Sequence, residues 1–132
     1  MRLTAGSTEL GLTIDGYQYP ENADNEHDAN WLFIRIELSH PDGGTSKVEP
    51  ALLTWEVETL AGWLEAVASG ASDRPELSFT EPVLSFALMP EYGALRAIID
   101  RGEFEATFMA EPEMLRAAAA SLREQLSRYP RR

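Results

Sequence analysis

The chain contains no cysteine, so neither a disulfide framework nor a thiolate site can operate in it. That absence fits a reducing compartment. No apolar run approaches the roughly 18 residues that a membrane span requires. The opening Met1-Arg2-Leu3-Thr4-Ala5-Gly6 also lacks the hydrophobic stretch of a secretory signal. A cytoplasmic location is the expectation that follows. Basic residues are scarce: 11 Lys and Arg stand against 22 Asp and Glu, a net charge of -11, and Lys47 is the single lysine. The imbalance is uneven. Residues 1–66 hold twelve acids and three bases (Arg2, Arg35, Lys47), whereas residues 67–132 hold ten acids and eight bases. Nucleic-acid binding needs Lys and Arg to neutralise phosphates, so such a field disfavours it, and it disfavours anionic membranes likewise. It attracts a basic partner and speeds the encounter. Solubility alone is the plainer reason for an acidic surface.

With 132 residues, one domain spanning 1–132 is expected. A chain of this length buries roughly two thirds of its unfolded surface. Three Trp, four Tyr and five Phe within a 44% hydrophobic composition supply a core. In residues 8–17, Leu10, Leu12 and Ile14 alternate with polar positions, as in a strand with one wet face. Residues 30–39 form the clearest strand, with Leu32, Ile34, Ile36 and Leu38 on one face and Trp31, Phe33, Arg35 and Glu37 on the other. A covered second face is expected there. Between these strands, residues 18–29 are polar and carry Pro20, Asn22 and Asn25, the signature of a surface loop. Pro41-Asp42-Gly43-Gly44 predicts a turn into a hairpin partner near 45–53.

Helical spacing appears twice. Val57, Leu60, Ala61, Leu64, Val67 and Ala68 mark a helix over about 55–69, with Thr54 as N-cap, Gly70 as its stop and Trp63 at the edge of the stripe. Leu115, Ala118, Ala119, Leu122 and Leu126 mark a second helix over about 112–128, opened by Pro112. Arg123 and Arg128 suit the negative end of its dipole, and Pro130-Arg131-Arg132 reads as a frayed tail. Short strands are expected at 76–80, 83–88, 94–100 and 103–109, punctuated by Pro82, Gly93 and Gly102. The order strands, helix, strands, helix predicts an α+β fold, a mainly antiparallel sheet with the two helices packed on it.

Chemistry is thinly represented. Asp24-Asn25-Glu26-His27-Asp28-Ala29-Asn30 places oxygens at alternate positions, like the start of a calcium loop. Ala29 then stands where the sharp turn needs glycine, and Arg35 where the closing Glu belongs. His27 and His40 are the only histidines. Ser39, His40 and Asp42 are neighbours in sequence, but a triad is defined by geometry, and no nucleophile-elbow or zinc-protease motif occurs. No catalytic residue, metal or cofactor is assigned, and binding rather than catalysis is expected.

Several segments together resemble the WapI family of bacterial immunity proteins: Gly16-Tyr17-Gln18-Tyr19-Pro20, Asp28-Ala29-Asn30-Trp31-Leu32, Leu53-Thr54-Trp55-Glu56-Val57, Leu77-Ser78-Phe79-Thr80-Glu81-Pro82 and the closing helix from Leu115 to Tyr129. In order they cover nearly the whole chain, with Tyr19 where a Phe is expected. The resemblance implies an antitoxin that binds and neutralises the toxic C-terminal domain of a polymorphic, wall-associated toxin. Some toxin domains of this class are tRNA nucleases, which must be basic to hold phosphates. The residues alone leave a second reading open, a non-enzymatic binding or accessory domain unrelated to toxins. For recognition of a basic partner the expected residues are Glu21, Asp24, Glu26 and Asp28, four acids with no base among them, on a loop held at both ends by strands. Asp42, Glu49, Glu56 and Glu58 form the second set.

Overall fold

The structure, a computed structural model, describes residues 1–21 and 24–132. Asn22, part of the expected loop, lies outside the described residues. In chain order the elements are β1 (Arg2–Ala5), β2 (Thr8–Tyr17), α1 (Glu26–Asn30), β3 (Trp31–His40), β4 (Gly43–Leu53), α2 (Thr54–Ala68), β5 (Glu76–Ser78), β6 (Leu84–Met89), a 3-10 turn (Pro90–Tyr92), β7 (Ala94–Ile99), β8 (Phe104–Met109) and α3 (Pro112–Leu126). The fold is α+β and antiparallel, as the pattern predicts. Its strands divide into two four-stranded meanders, β1-β2-β3-β4 and β5-β6-β7-β8. The long helix α2 separates the two sets in sequence, so each pairs with its own hairpin neighbours.

Register follows from which side chains must be hidden. Leu10 lies opposite Leu38, Leu12 opposite Ile36 and Ile14 opposite Ile34, so one face of the first sheet is continuously apolar. Leu32, Ile34, Ile36 and Leu38 are all buried, none more than 2% exposed. Both sheets and both long helices contribute to one core, with Val57, Leu60 and Leu64 from α2 and Leu115, Ala118 and Leu122 from α3. Trp63 is buried rather than at an edge. Its ring packs on Phe86 and its indole N–H donates to the Arg74 carbonyl at 3.1 Å.

The ends of α2 show how local chemistry sets boundaries. Thr54 begins the helix instead of capping it. The cap is Leu53, whose N–H donates to Glu56 Oε1 at 3.0 Å. At the other end Gly70 takes φ 70°, its N–H reaches the Val67 carbonyl, and the Ala71 N–H reaches Ala66. That pair of bonds is the Schellman arrangement, which a glycine makes possible.

Three further expectations need correction. The segment before β3 is not wholly loop, because Asn25 caps the short helix α1 through a bond from the Asp28 N–H at 2.9 Å. The second face of the first sheet is not a covered core. Trp31 and Phe33 are half-buried, and Thr13, Arg35, Glu37 and Val48 beside them are exposed. The closing residues do not fray. They fold back onto α1 and the end of β2, because the main chain at Tyr19, Pro20 and Ala29 presents carbonyls for Arg132 to bind.

Candidate functional site

The connection between β2 and β3 carries the four acids first expected to recognise a partner. Asn30, at the junction of α1 and β3, is fully buried and organises the region. Its amide N–H groups donate to the carbonyl of Glu26 at 2.8 Å and to the main-chain oxygen of Arg132 at 2.9 Å. Its Oδ1 accepts from the Thr54 hydroxyl at 2.8 Å and from the Arg132 N–H at 2.9 Å. One side-chain amide thus ties α1, the start of α2 and the end of the chain together, with every bond a buried amide can be expected to need.

Arg132 adds the second tie. Its guanidinium donates to the carbonyls of Ala29, Pro20 and Tyr19 at 2.9, 3.1 and 2.7 Å, and sits over the Tyr17 ring at 3.8 Å. The Tyr17 hydroxyl in turn donates to the Pro130 carbonyl, and its ring meets Tyr129 edge-on at 5.6 Å. Burial pushes the Tyr17 phenol above its ordinary range, partly opposed by the Arg132 charge.

These contacts alter the charge of the loop. Glu26 is ion-paired with Arg131, whose hydrogen bond holds the carboxyl below the usual range. Two guanidinium groups therefore lie against a segment that looks purely acidic in sequence. Glu21 and Asp24 are exposed, and Asp28 is half-buried and bonded to Asn25 at 2.8 Å. Beside them, Trp55 of α2 receives the His27 ring edge-on at 5.3 Å and Arg131 on its face, with Cζ 4.6 Å from the centroid. A cleft of about 290 Å³ opens there, lined by Thr54, Trp55, Glu58, Leu126, Pro130 and Arg131.

The second set of acids is not brought together. Asp42 is exposed at the β3–β4 turn. Glu49 pairs with Lys47 and Arg101. Glu58 pairs with Arg123 at 2.9 Å. Glu56 is buried and serves the fold: one oxygen holds the Leu53 N–H, and the other accepts from the Thr80 N–H at 2.8 Å and the Thr80 hydroxyl at 3.1 Å. With both oxygens engaged, Glu56 is removed from the set of surface acids. Its place three residues after the cap residue was the readable signal for the N-terminal bond to Leu53; nothing local pointed to Thr80.

Asn30, Trp55 and Arg132 were missed as organising residues. Each looks ordinary in sequence: a polar residue before a strand, an aromatic near a helix start, an arginine in a polar tail. A trough of about 420 Å³ also crosses the outer face of the first sheet, lined by Arg2, Glu9, Thr13, Glu37 and neighbouring small residues. Among the described residues no group of three or more His, Asp or Glu side chains could hold a metal ion. Among the same residues no helix is long and apolar enough to cross a membrane.

No curated protein and no solved structure gives a match to this chain. The model of the Immunity protein WapI-like family, by contrast, matches residues 2–130 and so takes in β1 to β8, α1, α2, α3 and most of the closing segment packed on α1. The chain belongs to the immunity protein WapI-like family.

Proposed function

We propose that this protein is an immunity protein that binds and neutralises the toxic C-terminal domain of a polymorphic bacterial toxin, one to one, in the cytoplasm of the cell that makes both. The observation that carries this reading is the family match over residues 2–130. The net charge of -11 supports a basic toxin domain as the partner, since complementary fields speed association. A nuclease domain has that character, because it must hold phosphates. An inhibitor of this kind needs neither nucleic acid nor membrane of its own, and no cofactor.

The test is co-expression with the toxin C-terminal domain encoded beside this gene. Growth should be restored, and the two chains should co-elute as a 1:1 complex. Continued toxicity with no complex at micromolar concentrations of both proteins would reject the reading in favour of an accessory binding domain.

A further inference from the structure

The Trp55 cleft carries an inference that deepens the proposed function and rests on it for the identity of the partner. Trp55 is half-buried, walled on one side by His27 and roofed by Arg131. The Arg131 guanidinium lies within the roughly 6 Å at which an aromatic face attracts a cation. The Glu26 carboxylate pairs with it, and Glu58 lines the same cleft. An indole face with a carboxylate at its rim suits a flat, weakly hydrated guanidinium better than an ammonium. We infer that the Trp55 face at the edge of this cleft is a recognition site for an arginine of the basic partner, and that the chain's own Arg131 covers that face in the free protein as a displaceable stand-in.

The two adjacent arginines have different duties. Arg132 is bound through three main-chain carbonyls and the Asn30 amide, so it anchors the segment. Arg131 touches one carboxylate and one ring, and its side chain is 60% exposed. It can leave while Arg132 keeps the segment in place. Tryptophan and arginine are the residues that most often dominate the energetics of protein interfaces, and an open cleft at the start of α2 offers such a pair.

The test needs no toxin. An acetylated tetra-arginine amide is titrated into wild type, Arg131→Ala and the double variant Arg131→Ala/Glu26→Gln, with the three indole N–H resonances followed by NMR. Expected is a shift of the Trp55 indole, with affinity about threefold to tenfold tighter in Arg131→Ala than in wild type, as loss of an exposed ion pair and cation–π contact allows. The gain should be lost in the double variant, and a tetra-lysine peptide should bind more weakly. The buried Trp63 indole, bonded to Arg74, reports that each variant is folded. A silent Trp55 indole, or equal affinity in wild type and Arg131→Ala, would overturn the inference. So would unfolding of Arg131→Ala, which would make Arg131 part of the scaffold. Growth rescue and peptide titration are independent, so either reading can fail alone.

Discussion

Asn30 has no accessible surface, and its two donors and one acceptor oxygen are all occupied. Removing it strands the Arg132 N–H and oxygen and the Thr54 hydroxyl at once. Asn30→Ala should therefore cost about 2–4 kcal/mol, since each buried polar group left unpaired costs roughly 1–3 kcal/mol and networks fail together. Asn30→Asp should be nearly as damaging, because it turns two donors into an acceptor facing carbonyl oxygens. Urea denaturation checks both, and a loss below about 0.5 kcal/mol would show that water replaces the amide freely. Neither Asn30 nor Glu56 could be recognised as internal from the sequence. A lone polar residue announces its burial only through partners distant in the chain, here Arg132 and Thr80. The acidic loop was legible as a charged feature, but the pairing of Glu26 was not, because Arg131 lies 105 positions away.

Among the elements, the closing helix and the β7–β8 hairpin make opposite demands. Leu122 of α3 is 2% exposed in the shared core, and Leu122→Ala should destabilise by roughly 2–5 kcal/mol, measured by thermal or urea unfolding. A change within about 0.5 kcal/mol would place α3 at the periphery. The hairpin turn instead depends on charge. Asp100 and Arg101 both take left-handed φ, 55° and 59°, ahead of Gly102 at 92°. Lys47 of β4 bonds to Asp100 and so braces the turn from the other sheet. That bond holds the Asp100 carboxyl below its usual range and the Lys47 amine above its own. A depressed carboxyl contributes stability above the ordinary aspartate range and loses it as pH falls through the depressed value. A raised amine contributes below the ordinary lysine range and loses it as pH rises through the raised value. Wild type and Asp100→Asn should thus differ in stability at neutral pH and converge in acid, which unfolding curves across pH would show. A constant difference would mean that Asp100 acts by packing or hydrogen bonding alone.

Helices and long strands were readable because their periods of 3.6 and 2 are written in Leu, Ile and Val. The split into two sheets was not, because alternation tells a strand which face is apolar and nothing about its neighbours. β1 was missed for a simpler reason: four residues with one buried leucine, Leu3, carry no period.

For the whole molecule the governing quantity is its field. Replacing Glu21, Asp24, Glu26 and Asp28 by Gln or Asn should slow association with a basic toxin domain and flatten its salt dependence, without unfolding the protein. Because Arg131 already balances Glu26, most of the effect should come from the other three acids. Stopped-flow association at two ionic strengths is the measurement, and an unchanged rate and salt slope would move recognition to Asp42, Glu49 and Glu58.

The far reach of the last helix has a consequence for how the protein comes to be. β1 covers the edge of β2 only as far as Leu12, which pairs with Met1. The next N–H on that edge, that of Ile14, is taken by Gln125 Oε1 at 2.7 Å, across 111 positions. A side-chain amide from α3 thus completes the edge where the strand stops. That edge of the first sheet is therefore capped only after α3, 111 positions further on, has been made. Long-range closure of this kind slows folding, and an unfinished strand edge invites wrong partners in the meantime. The half of the chain made first is the half that must wait.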